Sequence, residues 1–101
     1  MRVITRKRLR EFAQRHPDAA EALAKWYRLL REAEWENLQD VRRVYPHADT
    51  VTVASGNTVT VFNICGNNYR LVTWINYNFH TVYVRFIGTH KEYDRIDAQT
   101  I

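Results

Sequence analysis

The stretch from residue 58 to residue 88 decides the fold, because it contains three runs of β-branched and aromatic residues separated by short turns. The runs are "TVTVFNI" (58–64), "YRLVTWINY" (69–77) and "TVYVRFIG" (81–88). Such residues favour extended strands, and the connectors "CGNN" and "NFH" have the length of hairpin turns. We therefore predict three neighbouring antiparallel strands. A further turn signal, "VASGN" (53–57), indicates one more short strand before them.

The N-terminal part of the chain has helical periodicity instead. "RVIT" (2–5) predicts a short strand, and Thr5 is placed to cap a helix that runs to about residue 15. Pro17 ends that helix, and Asp18 with Glu21 has the spacing of a capping box that starts a second helix. The apolar stripes of the two helices should face the sheet, and they contain Leu9, Phe12, Ala13, Leu23, Trp26, Tyr27 and Leu30.

Two shorter helices complete the predicted fold. Residues 36–44 place apolar side chains every three positions and stop before Pro46, and Thr89 with Glu92 forms a capping-box pattern after the last strand. The expected class is α+β: a small antiparallel β-sheet with N-terminal helices packed on one face and a short C-terminal helix. At 101 residues the chain is too short to divide, so we expect a single domain over residues 1–101.

Composition indicates a folded protein of the cytoplasm. Hydrophobic residues make up 46% of the chain, yet no apolar run approaches the roughly 20 residues that cross a membrane. Cys65 is the only cysteine, which excludes an internal disulfide and a zinc site built from several thiolates. We interpret it as a small buried hydrophobic residue on a strand rather than a nucleophile.

Positive charge is concentrated at one end of the chain. The net charge is +4, and residues 1–45 hold eleven Lys or Arg against seven Asp or Glu, whereas residues 46–101 hold four of each. Such a bias favours an anionic partner without naming it, and an ordinary solvated helix face would give the same pattern. The residues that crowd together in the first helix are Arg6, Lys7, Arg8, Arg10 and Arg15.

The predicted hairpins bring polar side chains onto one face of the sheet. A two-residue turn at positions 66–67 sets Asn63 opposite Arg70, and a turn near position 80 brings Arg85 beside Trp74. Because alternate residues of a strand share a face, Arg70 and Arg85 can lie on the same side. One arginine there could be a solvated strand residue. Two of them favour binding of a phosphate, and Trp74 could stack on a base.

The segment "THKEYD" (89–94) follows the strand of Arg85 and contains three side chains suited to phosphodiester chemistry. His90 can exchange a proton near neutral pH, Lys91 can stabilise developing negative charge, and Tyr93 can act as acid or base. Its remaining polar residues are better explained as helix caps, and Asp94 as a favourable charge near a helix start. No histidine pair has metal-ligand spacing, so we expect neither a metal nor a cofactor.

These residues resemble the HigB family of toxins from bacterial toxin–antitoxin modules. The resemblance runs through "RVITRKRLREFAQRHPDAAEAL" (2–23), "WENLQDVRRVYPHAD" (35–49), "VFNICGNNYRLV" (61–72) and "YVRFIGTHKEYD" (83–94). It implies a RelE-like fold and the activity of an mRNA interferase, an endoribonuclease that cuts message, commonly on the ribosome. It also implies neutralisation by a HigA-type antitoxin with a helix-turn-helix domain.

The resemblance further implies which residues form the site. In that reading a 2′-hydroxyl of the message attacks the adjacent phosphate without help from a metal, and leaves a cyclic phosphate and a free 5′-hydroxyl. Arg70, Arg85 and Lys91 would hold the phosphate, while His90 or Tyr93 moves the proton. The positions that match the family on the sheet are Asn63, Asn67, Arg70 and Arg85. The basic residues of the first helix would bind RNA backbone.

Two other functions stay open on the residues alone. A non-catalytic domain that binds RNA or the ribosome and interferes with translation would use the same arginines without cutting. An interaction domain would instead present an open sheet edge or an apolar face to a partner protein. The first alternative predicts that substitutions at Arg70 and Tyr93 reduce RNA affinity, whereas a nuclease would lose cleavage in excess of affinity.

Overall fold

A five-stranded sheet forms the centre of the protein, in the order β1-β5-β4-β3-β2. The structure, a computed structural model, describes residues 1–96, so the last five positions of the expected domain lie outside the described residues. The strands are β1 (Arg2–Ile4), β2 (Asp49–Thr52), β3 (Thr58–Ile64), β4 (Tyr69–Asn76) and β5 (Thr81–Thr89). All four predicted β-runs and the N-terminal strand are confirmed. The sheet is mixed, because β1 pairs with β5 in parallel.

The β3–β4 hairpin has the register that the sequence predicts, with Asn63 opposite Arg70. The turn needs Gly66 at φ 66°, a conformation that glycine adopts without steric cost, and the Asn68 amide donates to the carbonyl oxygen of Cys65 at 3.3 Å. Cys65 lies in this turn at φ 54° and is half-buried. The prediction of a buried cysteine on a strand is therefore wrong, because β3 ends one residue earlier.

The β4–β5 hairpin contains a β-bulge that the sequence does not reveal. The register shifts between Val72, which pairs with Phe86, and Thr73, which pairs with Val84. Arg85 is the extra residue of β5 between these two pairs. A bulge inserts one residue into one strand only, so every pair beyond it moves by one position.

The bulge changes the neighbour of Trp74. Trp74 pairs with Tyr83 and not with Arg85, so the predicted contact between Arg85 and Trp74 is wrong. Alternation of residue types cannot show such a shift, because the strand pattern on either side of the bulge stays intact.

Helices cover one face of the sheet, which we call the core face. They are α1 (Arg6–Arg15), α2 (Ala20–Glu32) and α3 (Leu38–Val44), with a short 3₁₀ turn between the first two. Trp26 is fully buried, and its ring meets that of Phe62 edge-on with centroids 5.6 Å apart. The predicted helical stripes are confirmed, since the core contains Leu9, Phe12, Leu23, Trp26, Leu30, Val41, Phe62, Ile64, Leu71, Ile75, Val82 and Val84.

The predicted caps of the first two helices are wrong. Thr5 has φ 76° and its side chain makes no capping hydrogen bond, and α2 likewise begins without a side-chain cap. The Asp18 carboxylate instead accepts from the Tyr69 hydroxyl, with both oxygens 2.8 Å away. This hydrogen bond raises the pKa of Tyr69. A long-range partner on β4 has therefore replaced the local one that the spacing suggested.

The last helix, α4 (His90–Arg95), packs on the opposite side of the sheet, which we call the open face. Its predicted capping box is confirmed: the Glu92 amide donates to Thr89 Oγ1 at 3.1 Å, and the Thr89 amide donates to Glu92 Oε1 at 2.9 Å. The hydrogen bond from the Thr89 amide lowers the pKa of Glu92. Gly88 allows α4 to pack closely here, since a Cβ at this position would lie 3.2 Å from Glu92 Cβ and 2.6 Å from the Phe86 ring.

Candidate functional site

The open face is divided into three zones along β4. A polar end contains Asn63, Asn67 and Arg70, and an aromatic end contains Trp74, Tyr83 and Arg85. Arg70 and Trp74 are four residues apart on one strand, so their backbones are about 13 Å apart at ~3.3 Å per residue. Between them lies an apolar centre formed by Val53, Val59, Val61, Val72, Phe86 and Tyr93.

At the polar end the β3–β4 turn holds Arg70 in place. Its Nη2 donates to Asn67 Oδ1 at 2.7 Å, and its Nη1 donates to the carbonyl oxygens of Asn67 and Tyr69 at 3.2 and 3.3 Å. Asn63 lies opposite it on β3 and Gly88 on β5, neither of which carries a charge. Within residues 1–96 Arg70 forms no ion pair with a carboxylate. Its charge is available to an anion from outside.

The start of α4 is joined to this polar end. The backbone amide of His90 donates to the carbonyl oxygen of Asn68, in the β3–β4 turn, at 3.2 Å. His90 Nδ1 lies 2.9 Å from Asp94 Oδ2, one helical turn later. A carboxylate on one ring nitrogen fixes the orientation of an imidazole and leaves the other nitrogen free to exchange a proton.

The sequence pattern did not predict the place of Tyr83 at the aromatic end, and it did not predict the contribution of Asp94. Asp94 was assigned to a favourable charge near a helix start, whereas the structure pairs it with His90. The signal was present, because residues four apart on a helix lie on the same side.

The side chains of Tyr93 and Lys91, which are both on α4, lie in different environments. Tyr93 is half-buried and packs against the valines of the open face, beside a cleft of about 250 Å³ that Asp94 and Ile96 also line. Lys91 is exposed and has neither a side-chain hydrogen bond nor an ion pair among residues 1–96. The structure therefore brings His90 close to the β3–β4 turn, holds Tyr93 over the centre of the face and leaves Lys91 in solvent.

The aromatic end forms a separate cluster. The rings of Trp74 and Tyr83 lie 5.2 Å apart with an interplanar angle of 31°, and the guanidinium carbon of Arg85 lies 5.9 Å from the centre of the Tyr83 ring. The Arg85 side chain therefore lies near Tyr83 on the open face, and Arg85 is not the cross-strand neighbour of Trp74. Half-buried rings that keep one surface open, together with a guanidinium plane, are suited to stacking on nucleobases.

The five basic residues of α1 are divided between two sides of the helix. On the sheet side, Arg8 Nη1 donates to the carbonyl oxygen of Arg85 at 2.6 Å, and the charge of Arg15 contributes to lowering the pKa of Glu92 on α4. Lys7 forms an exposed ion pair with Glu11 at 3.7 Å. The structure thus brings Arg8 to β5 at the edge of the candidate site.

Arg6 and Arg10 lie on the other side of α1. Both line a groove between α1 and α2, and the guanidinium carbon of Arg6 lies 4.2 Å from the centre of the Tyr27 ring. They are not part of the open-face cluster. In the described part of the chain no group of three or more His, Cys, Asp or Glu residues could hold a metal ion, and no helix could span a membrane.

The comparison with protein families decides the identity of this fold. Residues 19–96 match the family model described as HigB_toxin, the RelE-like toxic component of a toxin–antitoxin system. The chain belongs to the HigB toxin family. The matched region contains all the candidate residues of the open face and of α4, and it begins after the basic residues of α1.

Curated members of the HigB family are similar over nearly the whole chain. The mRNA interferase HigB of Escherichia coli O6:H1 is 29% identical over 96 residues, which cover 95% of this chain and 91% of that protein. The mRNA interferase toxin HigB of Escherichia coli K12 is 28% identical over 98 residues, which cover 97% of this chain and 92% of that protein. The mRNA interferase HigB of Shigella flexneri has the same identity and coverage.

Proposed function

We propose that this HigB-family protein is an mRNA interferase, an endoribonuclease that cuts messenger RNA on the ribosome and thereby stops translation. The whole chain, residues 1–101, would act as one toxin domain in the cytoplasm, where message is translated. A HigA-type antitoxin with a helix-turn-helix domain would neutralise it. Family membership and the names of the relatives support the reaction class, and the open face supplies side chains for its steps.

Arg70 is the observation that carries the proposal. Its guanidinium is held by Asn67 at the polar end and has no carboxylate partner within residues 1–96. A guanidinium fixed in this way can form two parallel hydrogen bonds to a phosphate, and it stabilises the charge that develops on the phosphate oxygens in the transition state. Lys91 and Arg85 add positive charge around the same face.

The proton transfers are assigned to α4. In the reaction the 2′-oxygen forms a bond to phosphorus while the bond from phosphorus to the 5′-oxygen breaks, which gives a cyclic phosphate and a 5′-hydroxyl. His90, oriented by Asp94 through Nδ1, would remove the 2′ proton with Nε2. The Tyr93 hydroxyl would give a proton to the departing 5′-oxygen. All bonds and protons of this route balance without a further reactant.

Binding of the RNA chain would extend from the open face along α1. Trp74 and Tyr83 offer stacking surfaces, Asn63 and Asn67 offer amides, and Arg8 lies beside β5. Contacts of basic side chains with phosphates are independent of sequence and weaken as salt rises. These contacts would serve message and ribosomal RNA alike.

The test is to induce the protein in bacteria and map new 5′-hydroxyl ends on message, comparing wild type with Arg70→Ala and Tyr93→Ala. We expect wild type to produce cuts and Arg70→Ala to reduce them by about 10²- to 10³-fold, the usual cost of removing one group that stabilises transition-state charge. A parallel reaction on naked message, without ribosomes, tests the dependence on translation.

Arg43→Ala is the matched control, because Arg43 is an exposed arginine on α3 whose one ion pair within residues 1–96 is with Asp40 on the same helix. The Arg43→Ala variant should cut message as often as wild type does. If translation stops without new message ends, the protein is the non-catalytic RNA-binding domain and the nuclease assignment is rejected.

A further inference from the structure

A groove of about 260 Å³ lies between α1 and α2, and no strand contributes to its lining. Its floor is apolar and is formed by Leu9, Ala13, Ala20, Leu23, Ala24 and the Tyr27 ring. The alanine side chains are too short to fill the space between the two helices. The groove therefore has room for a larger apolar side chain from another molecule.

The charged residues that line this groove are all positive: Arg6, Arg10 and Arg28. The guanidinium carbons of Arg6, in the groove, and of Arg31, just outside it, lie 4.2 and 5.7 Å from the centre of the Tyr27 ring, so two like charges lie near one aromatic ring. Such charges repel one another, and carboxylates from a partner would relieve the repulsion. The groove thus combines an apolar floor with a rim that is complementary to acidic side chains.

We propose that this groove docks the antitoxin of the module. The segment that fits is an amphipathic helix with one large aliphatic side chain directed at Ala13, Ala20 and Ala24, and with Asp or Glu on either side of it facing the arginines. An apolar helix face lying in a groove between two helices is a common mode of protein recognition. The identity of this partner rests on the toxin–antitoxin function proposed above.

The chemistry of the groove favours a protein over RNA. Phosphates and riboses would leave the apolar floor unused, whereas an aliphatic side chain buries it. The groove also lies on the opposite side of α1 from Arg8, which is bonded to the carbonyl oxygen of Arg85 next to the open face. A segment docked here would hold the toxin without touching Arg70.

The experiment measures the affinity of the purified toxin for the antitoxin encoded beside it, by calorimetry, together with message cleavage in the absence of antitoxin. The variants are Arg28→Glu, which reverses the charge of the rim, and Ala24→Met, which fills the floor from an exposed position. Each should weaken antitoxin binding about tenfold or more, a loss of at least ~1.4 kcal/mol. Cleavage should stay within twofold of wild type.

Lys25→Glu is the matched control, because Lys25 is exposed next to Ala24 but does not line the groove. It should leave affinity unchanged. If Arg28→Glu does not stay folded by circular dichroism, Ala24→Met decides alone.

Unchanged affinity in the groove variants overturns the proposal, and so does loss of cleavage with affinity retained, since that outcome assigns the groove to RNA. A wild-type toxin that binds through the groove but cuts no message would reject the proposed activity and leave the docking surface standing.

Discussion

The two faces of the sheet differ in what fills them, and β4 shows the contrast within one strand. Leu71 and Thr73 point to the core face and are fully buried, the latter with its hydroxyl donating to the carbonyl oxygen of Thr60 at 3.0 Å. Arg70 and Trp74 point to the open face and are only half-buried. Among residues 1–96, three helices fill the core face, whereas one short helix covers part of the open face.

Because of this difference, the positions that stabilise the fold lie on one face and the positions that can bind a phosphate lie on the other. On the core face each position is constrained by its neighbours, so a charged or polar side chain there would cost desolvation without a partner. On the open face a guanidinium or an imidazole can stay hydrated and still be oriented by a turn or a carboxylate. The side chains suited to phosphate chemistry therefore collect on the open face, and the large apolar ones on the other.

Truncating adjacent residues of β3 that belong to opposite faces should give the largest difference in stability between the two faces. Phe62 is fully buried between the rings of Trp26 and Tyr45, so Phe62→Ala should lower the free energy of unfolding by about 3–5 kcal/mol through lost burial and a cavity. Asn63→Ala, on the open face, should change it by less than about 1 kcal/mol. Urea unfolding of both variants measures the two values, and equal losses would show that the open face is also core.

Substitutions in the His90–Asp94 pair should have the next largest effect, in this case on message cleavage. His90→Ala should reduce message cleavage about a hundredfold, the lower range for a general acid or base, while the free energy of unfolding changes little because the side chain is exposed. Asp94→Asn should cost less, since Asp94 acts by orienting His90.

The double variant sharpens this prediction. If Asp94 works only through His90, then adding Asp94→Asn to His90→Ala should cause no further loss of cleavage. Full additivity of the two losses would instead give Asp94 an independent role. Single-turnover cleavage of a defined message measures all three variants.

The smallest effect should come from the cap that begins α4. Thr89→Ala removes the hydroxyl that accepts from the Glu92 amide, and should cost about 1 kcal/mol. The pKa of Glu92 is lowered in the folded state, so the stability that its carboxylate contributes is present above its usual pKa and is lost as pH falls through the lowered folded value.

Urea unfolding as a function of pH measures this contribution. Wild type should therefore lose more stability than Glu92→Gln on going from neutral pH to below pH 4, as the carboxylate takes up its proton. If the free energies of unfolding of the two proteins fall equally as the pH is lowered, the Glu92 carboxylate does not stabilise α4 through the capping box.

Much of the fold could be predicted because its determinants are local. The β3–β4 register follows from the short turn that contains Gly66, and the Thr89–Glu92 box follows from residues three apart. Asp18 shows the limit of such reasoning. Its spacing to Glu21 suggested a cap, but the Tyr69 hydroxyl, 51 positions away in the chain, binds its carboxylate.

The arrangement of the candidate site could be predicted only in part. Arg70 and Asn63 lie opposite each other as predicted, whereas the bulge at Arg85 replaced the predicted contact with Trp74. The pairing of Asp94 with His90 was missed although its spacing was visible, because the same residue also suited a charge near a helix start.

The sequence by itself determined which segments are strands and helices, which residues alternate between the two faces of β3 and β4, and which side chains could perform phosphate chemistry. These follow from turn length, side-chain periodicity and the chemistry of single residues. Three features became visible in the folded protein: α4 packs on the open face, β1 joins β5 in parallel, and the basic residues of α1 divide between two surfaces. Those features depend on contacts between residues far apart in the chain, whose free energies no local pattern contains.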